Sequence, residues 1–377
     1  MDNIVAALKC SDRVCHIELQ ADKPVNWGQL FSVMQQPFPE LTYLDLQSRG
    51  IDEMVVVPDS FLGGFAPRLR IIKLGGNGVP FPGLPKLLLS ATHLAVLYLY
   101  DIPHSGYFSP DAMVAALSTL TSLTYLRLRF KSPESCPDLE TRRLPPSTRS
   151  ALPILKSFEF KGVFEYLEDL LTDIDAPQLN DLWITFFNDS VFDMPQMGQF
   201  ISRTPISSAL ENAHIALKDG TARVSFLPQK YPYRRVELEV SVLCEGGDWQ
   251  ISSLEQVCTS CLPFLSTLKG LFIHEHAHSQ PDRKDNIDNR VWLELLHPFI
   301  AVKNLYISKE IAPRIGPALQ EGRATEVLPV LENIFLESSR RVQKGIEKFV
   351  AARRVSSHPV TTSRWANSEV DKRYYLK

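Results

Sequence analysis

One segment of the chain matches a pattern that can perform chemistry by itself. Residues 274–278, His-Glu-His-Ala-His, fit H-E-x-x-H, in which two histidines on one helix face bind Zn²⁺ and the glutamate acts as general base. Glu294 or His297 could supply a third ligand. The preceding residues favour a strand that ends at His274, and the polar residues 281–290 indicate a loop rather than a helix. A histidine-rich loop is therefore the leading interpretation, with a zinc metalloenzyme and an adventitious metal site as alternatives.

Other patterns that could support catalysis are weak. Cys258 and Cys261 form a single C-x-x-C pair within an apparent helix, where buried structural cysteines are the commoner explanation. The glycine-rich residues 75–78 lack the G-K-[ST] ending of a phosphate-binding loop, and no G-x-S-x-G nucleophile elbow occurs. We therefore expect a protein that is not an enzyme, with no catalytic residue, no metal and no cofactor.

Size and charge narrow the class of protein. The chain has 377 residues, 44% of them hydrophobic, and a net charge of −3, which favours neither nucleic acid nor a membrane surface as partner. Residues 340–377 are an exception, since they hold ten Lys/Arg against three Asp/Glu and indicate a basic capping helix. The start of the chain shows no signal peptide, and no apolar stretch could span a membrane. A cytoplasmic or nuclear location is expected.

A repeated pattern, Leu-x-x-Leu-x-Leu, indicates the elements that would position any functional residue. Clear copies start at Leu41, Leu69, Leu94, Leu123 and Leu331, and weaker ones start at Val14, Leu155, Leu179, Leu210, Tyr233, Leu268 and Val302. Spacings of 20–50 residues between such copies are typical of a leucine-rich-repeat solenoid. We predict an α/β horseshoe of about 11–12 irregular repeats over residues 1–338, with a parallel concave sheet and convex helices. Residues 339–377 would form the basic C-terminal capping helix and tail.

Residues 94–130 illustrate one predicted repeat. Alternation places Leu97 and Leu99 on the buried side of a strand and Tyr98 on the opposite side. Ser109 followed by proline is typical of a helix N-terminus. The proline-rich residues 131–150 interrupt the pattern, either as a plain insertion or as a recognition loop or modification site.

The outward strand positions predict where a partner would bind. The predicted central column contains Asp45, Lys73, Tyr98, Arg127, Glu159, Trp183, His214, Glu237, Phe272, Tyr306 and Phe335, with Tyr43, Tyr100, Tyr125, Arg129 and His274 beside it. Tyrosine, tryptophan and arginine are the residue types that most often anchor protein interfaces. We therefore predict an unknown protein target on the concave face, bound by Tyr98, Arg127, Trp183, Phe272, Tyr306 and Phe335. The alternative is that aromatic residues are there because they favour strands.

The amino-acid sequences of several segments resemble those of one protein family. Residues 31–46, 84–94, 200–205 and 345–353 with 364–365 are similar to fungal F-box-like leucine-rich-repeat proteins. The resemblance implies a substrate receptor in which an N-terminal F-box docks on a ubiquitin-ligase adaptor while the repeats hold the target. Only about 13 residues precede Val14, so the F-box itself is not present here. Adaptor binding is expected only if an upstream F-box exists, and the alternative is a free-standing repeat scaffold without a ubiquitin link.

Overall fold

The structure is a computed structural model. It describes residues 2–21, 26–48, 57–58, 60–76, 84–136, 149–187, 192–218, 220–228, 237–244, 247–275, 288–321, 326–337, 340–356 and 358–365. Most of the predicted 131–150 loop, and residues 276–278 of the H-E-x-x-H segment, lie outside these ranges.

The fold is α/β, with a large and mostly parallel sheet of fourteen strands that does not close on itself. The chain divides into two compact units, residues 1–182 with 199–205, and residues 183–198 with 206–377. Among the described helices, none combines the length and the hydropathy that a membrane crossing would require. The predicted boundary at residue 338 stays a prediction.

The first unit contains strands that are in several places separated by helices. Its elements are α1 Asp2–Leu8, β1 His16–Ala21, α2 Trp27–Val33, β2 Tyr43–Ser48, β3 Ile71–Gly76, α3 Leu84–Leu88, β4 Val96–Ile102, α4 Pro110–Leu117, β5 Tyr125–Phe130, β6 Ser150–Ala151, β7 Ser157–Gly162, α5 Phe164–Asp173 and β8 Ile174–Asp175. Strands β1, β2, β3, β4, β5 and β7 pair in parallel in that order, and β6 pairs with β8 in a separate short sheet.

The leucines of the repeated pattern form the core of this unit, as predicted. Leu94, Leu97, Leu99 and Leu128 are fully buried, because each strand turns alternate side chains towards the helices. The predicted start of α4 is also confirmed, since the Ser109 side chain accepts a hydrogen bond from the backbone N–H of Ala112.

The second unit contains the remaining elements, of which β9 and α6 have residues in both units. The elements are β9 Asp181–Phe186, α6 Pro195–Ser202, α7 Ile206–Ala209, β10 Asn212–Lys218, β11 Thr221–Leu227, β12 Leu238–Leu243, α8 Gly247–Cys261, β13 Gly270–Glu275, α9 Asn289–Leu296, β14 Asn304–Ile307, α10 Ala312–Glu321, β15 Asn333–Glu337, α11 Arg340–Val355 and β16 Thr361–Trp365. Strands β10, β13, β14, β15 and β16 pair in parallel.

One part of the predicted parallel sheet is wrong. Strands β10 and β11 form an antiparallel hairpin, and β11 pairs antiparallel with β12. The two weak repeat copies placed at Leu210 and Tyr233 therefore flank a hairpin rather than forming two successive parallel repeats. Asp219-Gly220 is the sequence signal for this turn, and Gly220 has a φ of +70°, a conformation that favours glycine.

The six cysteines allow a direct test of this core. None of them forms a disulfide in the described part of the chain. Cys10 and Cys15 are exposed, whereas the other four are buried, and burial raises the pKa of Cys136 to about 12 and that of Cys244 to about 11. Since the thiolate is the reactive form, we expect DTNB at pH 8 to label two thiols in the native protein and six in 6 M guanidinium. Rapid labelling of four or more native thiols would contradict this core.

Candidate functional site

The predicted column is present in the first unit. Asp45, Lys73, Tyr98, Arg127 and Glu159 are direct cross-strand partners on β2, β3, β4, β5 and β7. They lie on the face opposite the buried leucines, because each is one residue removed from a core position. We call these five residues the charged column.

Arg127 is the best-connected member of the charged column. Its Nε lies 2.6 Å from a carboxylate oxygen of Glu159, and Nη1 donates a hydrogen bond of 2.9 Å to the Tyr100 hydroxyl. Its guanidinium carbon also lies 4.6 Å from the ring centroid of Tyr98, within cation–π range. Burial raises the pKa of Tyr100 above its usual value, although Arg127 opposes this shift. Arg127 thus holds two tyrosines and a carboxylate in one fixed group.

At the other end of the charged column lies Asp45, whose carboxylate is buried. Asp45 is only 2% exposed, and it accepts hydrogen bonds from Tyr43 at 3.3 Å and Gln47 at 2.9 Å. The Lys73 ammonium lies 3.6 Å from it and donates to the Tyr43 hydroxyl at 3.1 Å. The hydrogen bond with Tyr43, more than the Asp45 charge, raises the pKa of Lys73. Asp45 was expected to face solvent, and its burial makes it a structural counter-ion.

Two neighbouring side chains complete the face of the first unit. Tyr100 lies directly over Gly75, where an added Cβ would stand 2.5 Å from the Cβ of Tyr100. Glycine is therefore needed at position 75, a requirement that the sequence pattern did not reveal. Tyr125, one residue before the buried Leu126, is 38% exposed. Together with the partly exposed Tyr98, Tyr125 offers aromatic surface that the leucine core does not use.

The second unit contains a continuous stack of aromatic rings. His214, Phe272, Tyr306 and Phe335 are direct partners on β10, β13, β14 and β15. Their ring centroids are 4.1, 4.0 and 4.4 Å apart in that order, with interplanar angles of 7°, 6° and 9°. The spacing follows from the distance between parallel strands, which places identical positions one above the next. We call these four residues the aromatic column.

Three positions differ from the prediction. Trp183 lies opposite the buried Leu182 and Ile184 but is itself only 9% exposed, so it is not the solvent-facing anchor that was expected. His214 is 2% exposed, and His274, predicted beside the column, is 3% exposed. The strand alternation correctly assigns the face, but it cannot predict whether that face is covered.

The hairpin also changes the composition of the column. His214 pairs with Ser225, and Ser225 pairs with Glu239, so that Glu239 takes the place predicted for Glu237. Arg223 lies 3.5 Å from Glu239 and balances its charge. Ser225 was missed because its strand was not recognised.

Trp365 is a further residue that sequence reasoning did not select. It ends β16, yet its indole packs edge-on against Phe272 and Tyr306, with centroid distances of 6.1 and 5.6 Å. Its Nε1–H donates a hydrogen bond of 3.3 Å to the carbonyl of Ile307. Thr361, Thr362 and Trp365 are β-branched or aromatic residues of the types that favour strands, which is the signal that could have found it.

The described part of the H-E-x-x-H segment has the geometry of a strand. His274 lies at the end of β13, as predicted, although Glu275 is the last residue of that strand. Glu275 forms an ion pair of 2.9 Å with Arg314. Cys258 and Cys261 lie buried in α8, where burial raises the pKa of Cys258. Within the ranges that the structure describes, no group of three potential ligand side chains is placed to hold a metal ion.

Two candidate surfaces result, each described within its own unit: the charged column in the first unit and the aromatic column in the second. Comparison with known proteins adds no assignment, since no protein-family model matches the chain and no curated protein shows significant sequence similarity to it.

Proposed function

We propose that the protein is a non-catalytic protein-binding module built as a leucine-rich-repeat solenoid, with a concave sheet and convex helices. The repeated strand–helix order and the buried leucines support the solenoid. Solenoids of this kind bind partners through the extended surface that their strands line.

The observation that carries this proposal is the register of the two columns. Side chains that recur at one strand position form continuous rows, and those rows are rich in the residue types that anchor interfaces. Five side chains in these rows remain partly exposed: Tyr98, Arg127, Phe272, Tyr306 and Phe335. A side chain that the core does not require, held rigidly by neighbours, can bind a partner with little loss of conformational entropy.

The resemblance to fungal F-box-like proteins suggests the biological setting. We propose that the repeats correspond to the substrate-recognition part of a ubiquitin-ligase receptor, with a cytoplasmic or nuclear protein as target. The alternative is a free-standing scaffold with no ligase adaptor. Both versions bind through the same face, and they differ in whether the adaptor is among the captured proteins.

Affinity capture with matched variants tests the binding face. We expect two variants to reduce capture of specific partners about tenfold or more. One is the double variant Tyr98→Ala, Tyr125→Ala in the first unit, and the other is the single variant Phe335→Ala in the second unit. The reason is that aromatic interface anchors commonly contribute about 2 kcal/mol each. The measurement is quantitative mass spectrometry of proteins retained from a cell lysate, scored also for the ligase adaptor.

Two exposed aromatic residues away from the columns serve as controls. Phe65 and Trp249 are each 55% exposed; the first directly follows the short 3-10 helix Phe61–Gly64, and the second lies on α8. Phe65→Ala and Trp249→Ala should retain the wild-type partners. If the column variants retain the same partners as well, while circular dichroism shows every variant folded, the proposed binding face is wrong.

A further inference from the structure

The last described strand of the chain lies against the candidate binding face of its own unit. Strand β16 pairs in parallel with β15, with Phe335 opposite Ser363 and Glu337 opposite Trp365. It is the terminal strand in the order of the main sheet among the described residues. A strand in that position is held from one side only, through the backbone hydrogen bonds of a single neighbour.

The side chain of Trp365 extends well beyond its own strand. Its indole donates to the carbonyl of Ile307 on β14 and contacts the ring of Phe272 on β13. It therefore crosses β15 and covers part of the aromatic column. The ring contacts with Phe272 and Tyr306 lie on the side of the sheet opposite the leucine core, which is the side proposed to bind a partner.

The attachment of β16 is concentrated at its two ends. Val360, just before the strand, is 2% exposed, and Trp365 is partly buried at its end. The four residues between them, Thr361 to Arg364, are all exposed. Because so little apolar surface is buried along the strand, its local opening should require much less free energy than global unfolding.

We propose that β16 is a displaceable internal ligand of the aromatic column. The external ligand would be an extended peptide segment that adds in parallel to β15 and places an aromatic side chain where the indole of Trp365 now lies. Strand addition supplies affinity through main-chain hydrogen bonds, and the aromatic side chain supplies specificity. This inference rests on the proposed protein-binding function and names both its ligand and its regulation, since the site is accessible only when β16 is displaced.

The resident strand indicates the chemistry of such a ligand. Thr361 donates from its hydroxyl to the side-chain oxygen of Asn333, so a small hydroxyl residue fits the first paired position. Ser363 stands beside the ring of Phe335, where a small residue leaves the end of the stack uncovered. A ligand with small polar residues at the first and third positions and an aromatic residue at the fifth would reproduce these contacts.

The experiment uses the full chain and a peptide of its own sequence. The probe is a fluorescein-labelled synthetic peptide, Pro-Val-Thr-Thr-Ser-Arg-Trp-Ala-Asn, which corresponds to residues 359–367. The protein variant Val360→Asp, Trp365→Ala removes both anchors of β16 and should leave β15 available. We expect fluorescence anisotropy to show at least tenfold tighter peptide binding to this variant than to the wild type.

Two controls assign the binding to the site. In the first control, the same peptide with alanine in place of tryptophan should bind the variant at least tenfold more weakly. In the second, the original peptide should bind at least tenfold more weakly to a variant that also carries Tyr306→Ala. If the double variant is unfolded by circular dichroism, Trp365→Ala alone takes its place in the assay.

The inference is overturned if the folded variant fails to bind the peptide, or if the tryptophan and alanine peptides bind equally. Failure of the broader proposal would look different. In that case the first-unit variant Tyr98→Ala, Tyr125→Ala would capture the wild-type partners, whatever the peptide does.

Discussion

Replacing Leu126 by alanine is expected to lower the free energy of unfolding by about 2–5 kcal/mol. Leu126 is 1% exposed on β5, and its direct cross-strand partners are Leu97 and Phe158, which are fully buried. Removing its side chain deletes apolar contacts with both neighbouring strands. Because the hydrogen-bonded strands fix the backbone, the site cannot collapse to fill the cavity, which favours the upper part of that range.

Tyr125→Ala on the same strand provides the matched comparison. Tyr125 is adjacent in sequence but 38% exposed, so its removal should change the free energy of unfolding by less than about 1 kcal/mol. Urea denaturation followed by circular dichroism measures both variants. Equal losses for the two would mean that the faces of β5 have been assigned incorrectly.

This contrast explains why much of the fold could be predicted from the sequence. Where Leu-x-x-Leu-x-Leu recurs without interruption, two periodicities agree, the alternation of a strand and the spacing of the repeats. Together they fix the register, so Lys73, Tyr98 and Arg127 could be aligned correctly across three strands. The same reasoning correctly aligned Phe272, Tyr306 and Phe335.

The failures have physical causes that a local pattern does not contain. Alternation reveals which face a side chain occupies, but the burial of Trp183 depends on what packs over that face. The antiparallel β11 was missed because Val224 and Phe226 alternate as any strand would, whereas the direction of the strand depends on the short connection at Gly220. Trp365 was missed because the residues that its indole contacts are 58 or more positions away in the chain.

Arg353 on α11 is a buried cation that the sequence presented only as part of a basic helix. Its side chain is fully buried, and its guanidinium donates to the backbone carbonyls of Leu328 and Pro329. Burial lowers the pKa of Arg353. The ring of Phe349 lies 5.4 Å from the guanidinium carbon and offers a further favourable contact.

The turn that Arg353 holds is a strained one. Leu328 has a φ of +51°, in the left-handed region that non-glycine residues seldom adopt. A strained conformation persists only where the surroundings fix it, and the forked guanidinium binds two successive carbonyls of this turn. The basic character predicted for residues 339–377 therefore includes one arginine with a structural role in the core.

We expect Arg353→Ala to lower the free energy of unfolding by about 2–4 kcal/mol, because a buried carbonyl that loses its donor costs about 1–3 kcal/mol and the side chain leaves a cavity. Arg353→Met keeps most of the volume but donates no hydrogen bond, so it should recover only the cavity part of the loss. Urea denaturation measures the total, and hydrogen exchange should show the amides of α11 losing protection first. Wild-type stability in Arg353→Met would mean that the carbonyl hydrogen bonds contribute nothing, and that Arg353 serves only to fill space beneath the helix.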